Sequence, residues 1–256
     1  MTPSPVAIVT GGAGAFGSAI SRRLVGAGQH VIVADIDLER AAQVAASLNS
    51  DGASGGGSAS PMHLDLCDDT SIASLIAATE DTHGRLDVLV NNAGYSPAGG
   101  LDTTSIEDFD RTMQINLRGV YLLCVAALPM LKASPAARAL FVGSRTWLAG
   151  GNPAYTASKA GVVGLSRSVV HALGPTGGTS NVVAPGPVDT PLVDQMNMGS
   201  AREENFRRYA EATPLGRVAT AEDVAAAVAF FAGPDAGFIT GEVLHVTGGL
   251  QLPPRL

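Results

Sequence analysis

This sequence is poor in charge. Asp, Glu, Lys and Arg supply 15% of its 256 residues and leave a net charge of −7. Such an acidic, weakly charged chain has no basic stripe for nucleic acid and little to hold an anionic membrane. Cysteine is scarce as well. Cys67 and Cys124 stand in unrelated contexts, which excludes a disulfide framework and points to buried, reduced thiols. The five histidines (His30, His63, His83, His171, His245) keep no metal-ligand spacing, so no metal centre is expected. No apolar run approaches the roughly 18 residues of a membrane span. The start, MTPSPVAIVT, lacks a basic region and a signal-like core, and a cytoplasmic location is expected.

Apolar residues are plentiful, at 46% of the chain, and mean hydropathy is +0.23. That is the composition of a well-buried globular protein. Short β-branched runs at 6–10, 30–34, 86–90, 139–143, 180–184 and 242–246 read as buried strands, with a weaker one at 62–66. Helical patterns lie between them near 16–27, 38–48, 69–82, 105–131, 153–173 and 221–232. This continuous alternation predicts one α/β domain over 1–256, with seven parallel strands doubly wound between helices on both faces. Two segments break it. SDGASGGGSAS (50–60) reads as a flexible surface connection. The stretch 190–213, with Leu192, Met196, Met198, Phe206 and Tyr209, sits where a lid over the ligand crevice belongs.

After the first strand comes TGGAGAFGSAI (10–20). A glycine-rich turn that opens a helix, here Gly11, Gly14, Ala15, Phe16 and Gly17, aims backbone N–H groups at a pyrophosphate. The second strand ends on Asp35, followed by Ile36, with Asp35 lying 24 residues beyond Gly11. A carboxylate there accepts from an adenosine ribose diol and repels a 2′-phosphate, which predicts NAD over NADP. No Arg or Lys lies within the turn or just after Asp35. Taken only this far, S-adenosylmethionine fits as well.

The segment NPAYTASKAG (152–161) sets Tyr155 and Lys159 one helical turn apart among small residues. By itself the pair is as well explained by a packed helix carrying two polar outliers as by a lysine that acidifies a phenol.

Eight motifs in order decide between these readings. They are TGGAGAFG at 10–17, Asp65, NNAG at 91–94, Asn116, Ser144, YTASK at 155–159, APGPVDTP at 184–191 and GEVLHVTGG at 241–249. Together they resemble the short-chain dehydrogenase/reductase family from about Val6 to Gly249. The resemblance implies a Rossmann-type fold and the catalytic set Asn116, Ser144, Tyr155 and Lys159. It places Asp65 and Leu66 against the adenine, with Asn92, Ala93 and Gly94 beneath the cofactor. Pro185, Gly186, Val188 and Thr190 would cup the nicotinamide carboxamide, and Asn116 would position a water that links Lys159 to solvent. The family also implies a homotetramer paired through the helices near 105–131 and 153–173, with the last strand in a second contact.

The implied chemistry is interconversion of a secondary alcohol and a ketone. A free tyrosine, with pKa near 10, is a poor base at neutral pH. An adjacent ammonium and the positive ring of NAD⁺ both favour the phenolate, so Tyr155 would exchange the substrate proton while Ser144 holds its oxygen. An enoyl reductase of the same fold would space its tyrosine and lysine further apart. Two departures from the family pattern stand out. Ala15 replaces a usual glycine, which brings a methyl group where the pyrophosphate passes or where φ is positive. The interval between Ser144 and Tyr155 holds ten residues where twelve are common. Expected substrate contacts are Ser96, Trp147, Asn152, Pro187, Leu192 and Met196, with Trp147 serving as either a pocket wall or a subunit contact. These residues are mostly apolar, so a hydrophobic secondary alcohol or ketone, cyclic ones included, is the expected substrate, and Arg145 is the exception that suits an anionic one.

Overall fold

A computed structural model of the chain describes residues 4–50, 56–190 and 202–252. Seven strands form one sheet: β1 (Val6–Thr10), β2 (His30–Asp35), β3 (Ser58–His63), β4 (Val88–Asn91), β5 (Arg138–Val142), β6 (Thr179–Pro185) and β7 (Val243–Val246). Their order is β3-β2-β1-β4-β5-β6-β7, and every neighbouring pair is parallel. The order reverses between β1 and β4, so the crevice at the carboxyl ends of those strands is the natural ligand position.

Side chains alternate between two cores, one on each face. In β1, Val6 and Ile8 join Leu89, Phe141 and Leu123 on one side. Ala7 and Val9 join Ile20, Leu24 and Val228 on the other. Helices α1 (Ala15–Gly26), α2 (Leu38–Ser50) and α3 (Asp69–His83) follow the first three strands. Next come α4 (Ile106–Met113), a π-helical turn (Gln114–Gly119) and α5 (Val120–Ala133). The remaining α-helices among the described residues are α6 (Thr146–Ala149), α7 (Pro153–Leu173), α8 (Arg202–Ala212) and α9 (Ala221–Ala232).

Two expectations need correction, and a third falls partly outside the described residues. The third strand begins at Ser58, inside the segment read as a flexible connection, and ends at His63 rather than 66. Its apolar signal is weak because polar contacts hold it. Asn49 brackets the main chain of Ala59 at 2.8 and 2.9 Å, and His30 meets the Ser58 and Ser60 hydroxyls at 2.7 and 2.9 Å. Second, the continuous helical stretch Ile106–Ala133, which holds an 18-residue window of mean hydropathy 1.4, is by length and composition able to cross a membrane. Its buried face, including Leu123, Ala127 and Leu131, belongs to the sheet core. Third, of the segment 190–213 only one helix, α8, lies among the described residues; Leu192, Met196 and Met198 fall outside them.

Candidate active site

The carboxyl ends of β1, β2, β4, β5 and β6 open into one cleft of about 790 Å³. The glycine turn forms its floor at β1. Gly11 has φ +60°, and a methyl group there would meet Ala93 Cα at 2.9 Å. At Gly17 a Cβ would lie 2.1 Å from the Gly11 carbonyl oxygen, so only glycine lets α1 sit on the turn. Ala15 occupies neither constrained position. It is the first residue of α1, and the N-cap Gly14 has φ −75°, so the expectation of a positive φ at Ala15 is overturned. No side chain caps this helix, and its first free N–H groups face a cleft lined by Gly14, Ala15 and Phe16. That start fits a phosphate.

Asp35 and Ile36 line the same end. The Asp35 carboxylate accepts from Ala13 N at 2.9 Å and from Asp37 N at 3.1 Å, tying the end of β2 to the turn. Asn92 ties the turn to β4: its amide donates to the Thr10 and Gly11 carbonyls at 2.9 and 3.1 Å, while Thr10 Oγ1 accepts from Asn92 N and Ala93 N, both at 3.0 Å. Asp65, Leu66, Gly94, Pro185, Gly186, Val188 and Thr190 also line the cleft. So does Arg40, which the sequence reading passed over because it lies five residues beyond Asp35. One turn into α2 brings it back to the crevice, a signal that helical periodicity carries.

Ser144, Tyr155 and Lys159 meet at the centre of this cleft. Ser144 stands two residues past β5, and its Oγ accepts from Thr146 Oγ1 at 3.0 Å and Thr146 N at 3.3 Å. At Gly143 before it a Cβ would meet Val182 Cγ1 at 2.7 Å, so a larger residue there requires that side chain to move. Asn152 caps α7 by accepting from Tyr155 N at 3.0 Å. Pro153 begins that helix, and Tyr155 and Lys159 follow on one face. Lys159 is 4% exposed. Its Nζ donates to the Val142 carbonyl at 2.8 Å and lies 5.5 Å from the Tyr155 ring centroid. Burial lowers the lysine to about 8. Burial also raises the Tyr155 phenol to about 12, against a smaller lowering by the Ser144 hydroxyl. Of the two charges expected to acidify Tyr155, the lysine adds no lowering of its own here, which leaves the positive ring of NAD⁺.

Asn116 sits inside the π-helical turn, a distortion often found at functional sites. Its amide donates to Tyr95 O at 2.8 Å and Ser158 Oγ at 3.0 Å, while Oδ1 accepts from Tyr95 N at 2.8 Å. With both amide hydrogens engaged, Asn116 braces the 95–104 loop against α7, and the second lone pair of Oδ1 is the place its side chain keeps for the expected water. Gly94 lies between it and the lysine: a Cβ there would be 3.5 Å from both Asn116 Oδ1 and Lys159 Nζ.

A family model described as enoyl-(acyl carrier protein) reductase matches residues 11–251, from the glycine turn to just beyond β7. The chain belongs to the short-chain dehydrogenase/reductase family. Among curated members it is 34% identical to (2S)-[(R)-hydroxy(phenyl)methyl]succinyl-CoA dehydrogenase subunit BbsD of Thauera aromatica, over 96% of both chains. It is 35% identical to 2-(R)-hydroxypropyl-CoM dehydrogenase of Xanthobacter autotrophicus, over 96% of this chain and 98% of the relative. It is 38% identical to the mitochondrial (-)-isopiperitenol/(-)-carveol dehydrogenase of Mentha piperita, over 97% and 94%. Membership in this dehydrogenase/reductase family makes the chain an oxidoreductase.

Within that family frame, the substrate contacts divide. Ser96 and Pro187 line the cleft, although the Ser96 hydroxyl is shielded from solvent and has no hydrogen-bond partner. Asn152 lines it too, but its amide donates to Ala98 O, Gly99 O and Thr104 Oγ1 at 3.3, 3.2 and 3.1 Å, so it ties down a loop. Trp147 is not among the lining residues. Its indole donates to His245 Nε2 at 3.2 Å and stacks on that ring, because the one-turn α6 in the shortened interval swings it toward β7. Phe206 and Tyr209 of α8 close the wall instead.

Proposed function

We propose that this chain is an NAD-dependent oxidoreductase that interconverts a secondary alcohol and a ketone, with Tyr155 as general acid and base. The observation that carries this reading is the meeting of Ser144, Tyr155 and Lys159 in the cleft that the uncapped start of α1 opens into. The bound nicotinamide supplies hydride transfer, which no side chain can perform. The rest falls to the chain. Gly14, Ala15 and Phe16 hold the pyrophosphate through main-chain N–H groups, and Asp35 accepts from the adenosine ribose. Ser144, oriented by Thr146, donates to the substrate oxygen. Tyr155 gives its proton to that oxygen in reduction and takes it back in oxidation. Lys159, fixed to Val142, adds positive charge beneath the phenol and holds the nicotinamide ribose.

The relatives named as dehydrogenases of hydroxylated compounds support alcohol and ketone chemistry. The four-residue interval from Tyr155 to Lys159 argues against enoyl reduction, despite the matched model's description. A lid over 190–213, with Phe206 and Tyr209 facing the cleft, belongs to the same reading. So do a cytoplasmic location, with Cys67 and Cys124 both free, and a homotetramer. Exposed Ile106, Phe109, Tyr121 and Val125 on α4 and α5, together with Leu244 on β7, supply apolar area for the expected contacts. Light scattering at a monomer mass would remove the tetramer alone. The central test follows NADH oxidation with a panel of ketones by wild type and Tyr155→Phe. Turnover by wild type and its loss in the variant is expected. Binding of NADH without turnover by either protein would make the chain a silent NAD(H)-binding member of its family, and equal turnover by both would remove Tyr155 from the chemistry.

A further inference from the structure

The charged residues lining the cleft are unevenly distributed. Asp35, Asp37, Arg40 and Asp65 stand at the end formed by β2 and the loop after β3, and Arg111 lies beside Tyr95 and close enough to Cys67 to act on its thiol. Around Ser144 and Tyr155 the lining holds only two charged residues among those described, Lys159 and Arg145. Lys159 is buried and bonded to Val142. Arg145, the residue next to Ser144, is partly buried. Its guanidinium makes no hydrogen bond or ion pair with any described residue.

The main chain at Arg145 is, by contrast, tightly held. Its N–H donates to Pro185 O at 2.9 Å, and its carbonyl accepts from Leu148 N and Ala149 N, both at 3.1 Å. A fixed backbone thus presents a cation with no partner among the described residues at the cleft, one residue from the hydroxyl that would hold the substrate oxygen. A guanidinium in a partly desolvated cleft gains most from a planar anion that accepts two of its N–H groups. No described carboxylate at this end competes for it.

Resting on the alcohol/ketone reading above, we propose that the substrate carries an anionic group, a carboxylate, sulfonate or phosphate ester, which Arg145 receives while Ser144 and Tyr155 hold the carbonyl. Arg145 is thereby a specificity-determining residue rather than a catalytic one. The walls beyond it, Pro97, Pro187, Phe206 and Tyr209, suit an apolar body between the two polar ends.

The test compares 2-, 3- and 4-oxo acids with their methyl esters as NADH-coupled substrates of wild type, Arg145→Met and Arg145→Lys. Wild type is expected to prefer at least one acid over its ester. In Arg145→Met the acid-to-ester ratio of kcat/KM should fall roughly 10- to 100-fold, the range of a lost charge-assisted hydrogen bond. Arg145→Lys should restore part of it. A wild-type preference for every ester, or an acid preference that persists in Arg145→Met, overturns the proposal. If no ketone turns over, the alcohol/ketone reading is what fails, and calorimetry with the same acids decides this one. Binding that disappears in Arg145→Met upholds it; equal binding, or none by wild type, overturns it.

Discussion

Lys159 gives its ammonium to the main-chain carbonyl of Val142 at 2.8 Å and stands 5.5 Å from the centre of the Tyr155 ring, without bonding to the phenol. The lysine is thus fixed by the end of β5, and the tyrosine is reached through space. Burial drives both groups toward their neutral forms, the lysine to about 8 and the phenol to about 12. A phenolate at neutral pH then depends on positive charge that arrives with the oxidised cofactor. Alcohol oxidation should accelerate as pH rises, because it needs the phenolate, and ketone reduction should slow. Tyr155→Phe should lose about 10²- to 10⁴-fold in kcat in either direction while NADH binding persists. Parallel pH profiles for the two directions would argue against a single proton shared through Tyr155.

The buried lysine also has a stability signature. Its folded pKa lies below that of an unfolded lysine, so between pH 8 and 10.5 the unfolded chain binds more protons than the folded one. Stability from this group therefore rises with pH across that window, as the cost of burying an ammonium is relieved. Tyr155 acts oppositely at higher pH: from 10 to 12 the unfolded phenol ionises first, and stability falls. Lys159→Met removes the lysine's contribution. Its thermal midpoint should exceed wild type by most near pH 7, with the gap narrowing toward pH 10. A gap that is flat over this range would mean that Lys159 carries no depressed pKa.

The glycine turn separates a tolerant position from intolerant ones. Ala15 begins α1, and Gly14 before it has an ordinary extended backbone. Ala15→Gly should leave NADH affinity within about twofold and lower stability by up to about 1 kcal/mol through helix propensity. Gly17→Ala sets a Cβ 2.1 Å from the Gly11 carbonyl oxygen, and α1 must shift to accept it. Weak NADH binding and a lowered thermal midpoint are expected there. Tighter NADH binding by Ala15→Gly would show that the methyl group does obstruct the pyrophosphate.

These contrasts mark where sequence patterns carried information. The alternation of buried strands and helices placed six strands closely, because apolar runs report burial directly. The strand at 58–63 escaped since Asn49 and His30 hold it through hydrogen bonds, and polar residues leave no periodic trace. Ser144, Tyr155 and Lys159 were legible because their spacing survives in one dimension. The direction of Trp147 was not. It follows from a single helical turn, Thr146–Ala149, packed between β5 and α7, and from an acceptor, His245, that lies 98 residues away. The second task of Asn152, which also lines the cleft, was hidden for a similar reason: the loop that engages its amide approaches from residues 98–104.

Cofactor choice rests on two opposed groups at the end of β2. Asp35 lines the cleft where the proposed adenosine ribose would bind, while Arg40 lines the same end and would offer a 2′-phosphate a cation. The carboxylate is the nearer part of the turn, since it accepts the Ala13 N–H at 2.9 Å. It cannot swing away without leaving that donor unpaired, which costs about 1–3 kcal/mol. Repulsion of a dianionic 2′-phosphate by Asp35 should therefore prevail, and wild type should bind NADH at least roughly tenfold more tightly than NADPH, about 1.4 kcal/mol. Fluorescence titration of both nucleotides measures this directly. Asp35→Ser should narrow the ratio and lower the thermal midpoint together, because one side chain serves both the ribose site and the turn. Equal binding of NADH and NADPH by wild type would mean that Arg40 governs this end. A further Arg40→Met variant would then be expected to lose NADPH and keep NADH.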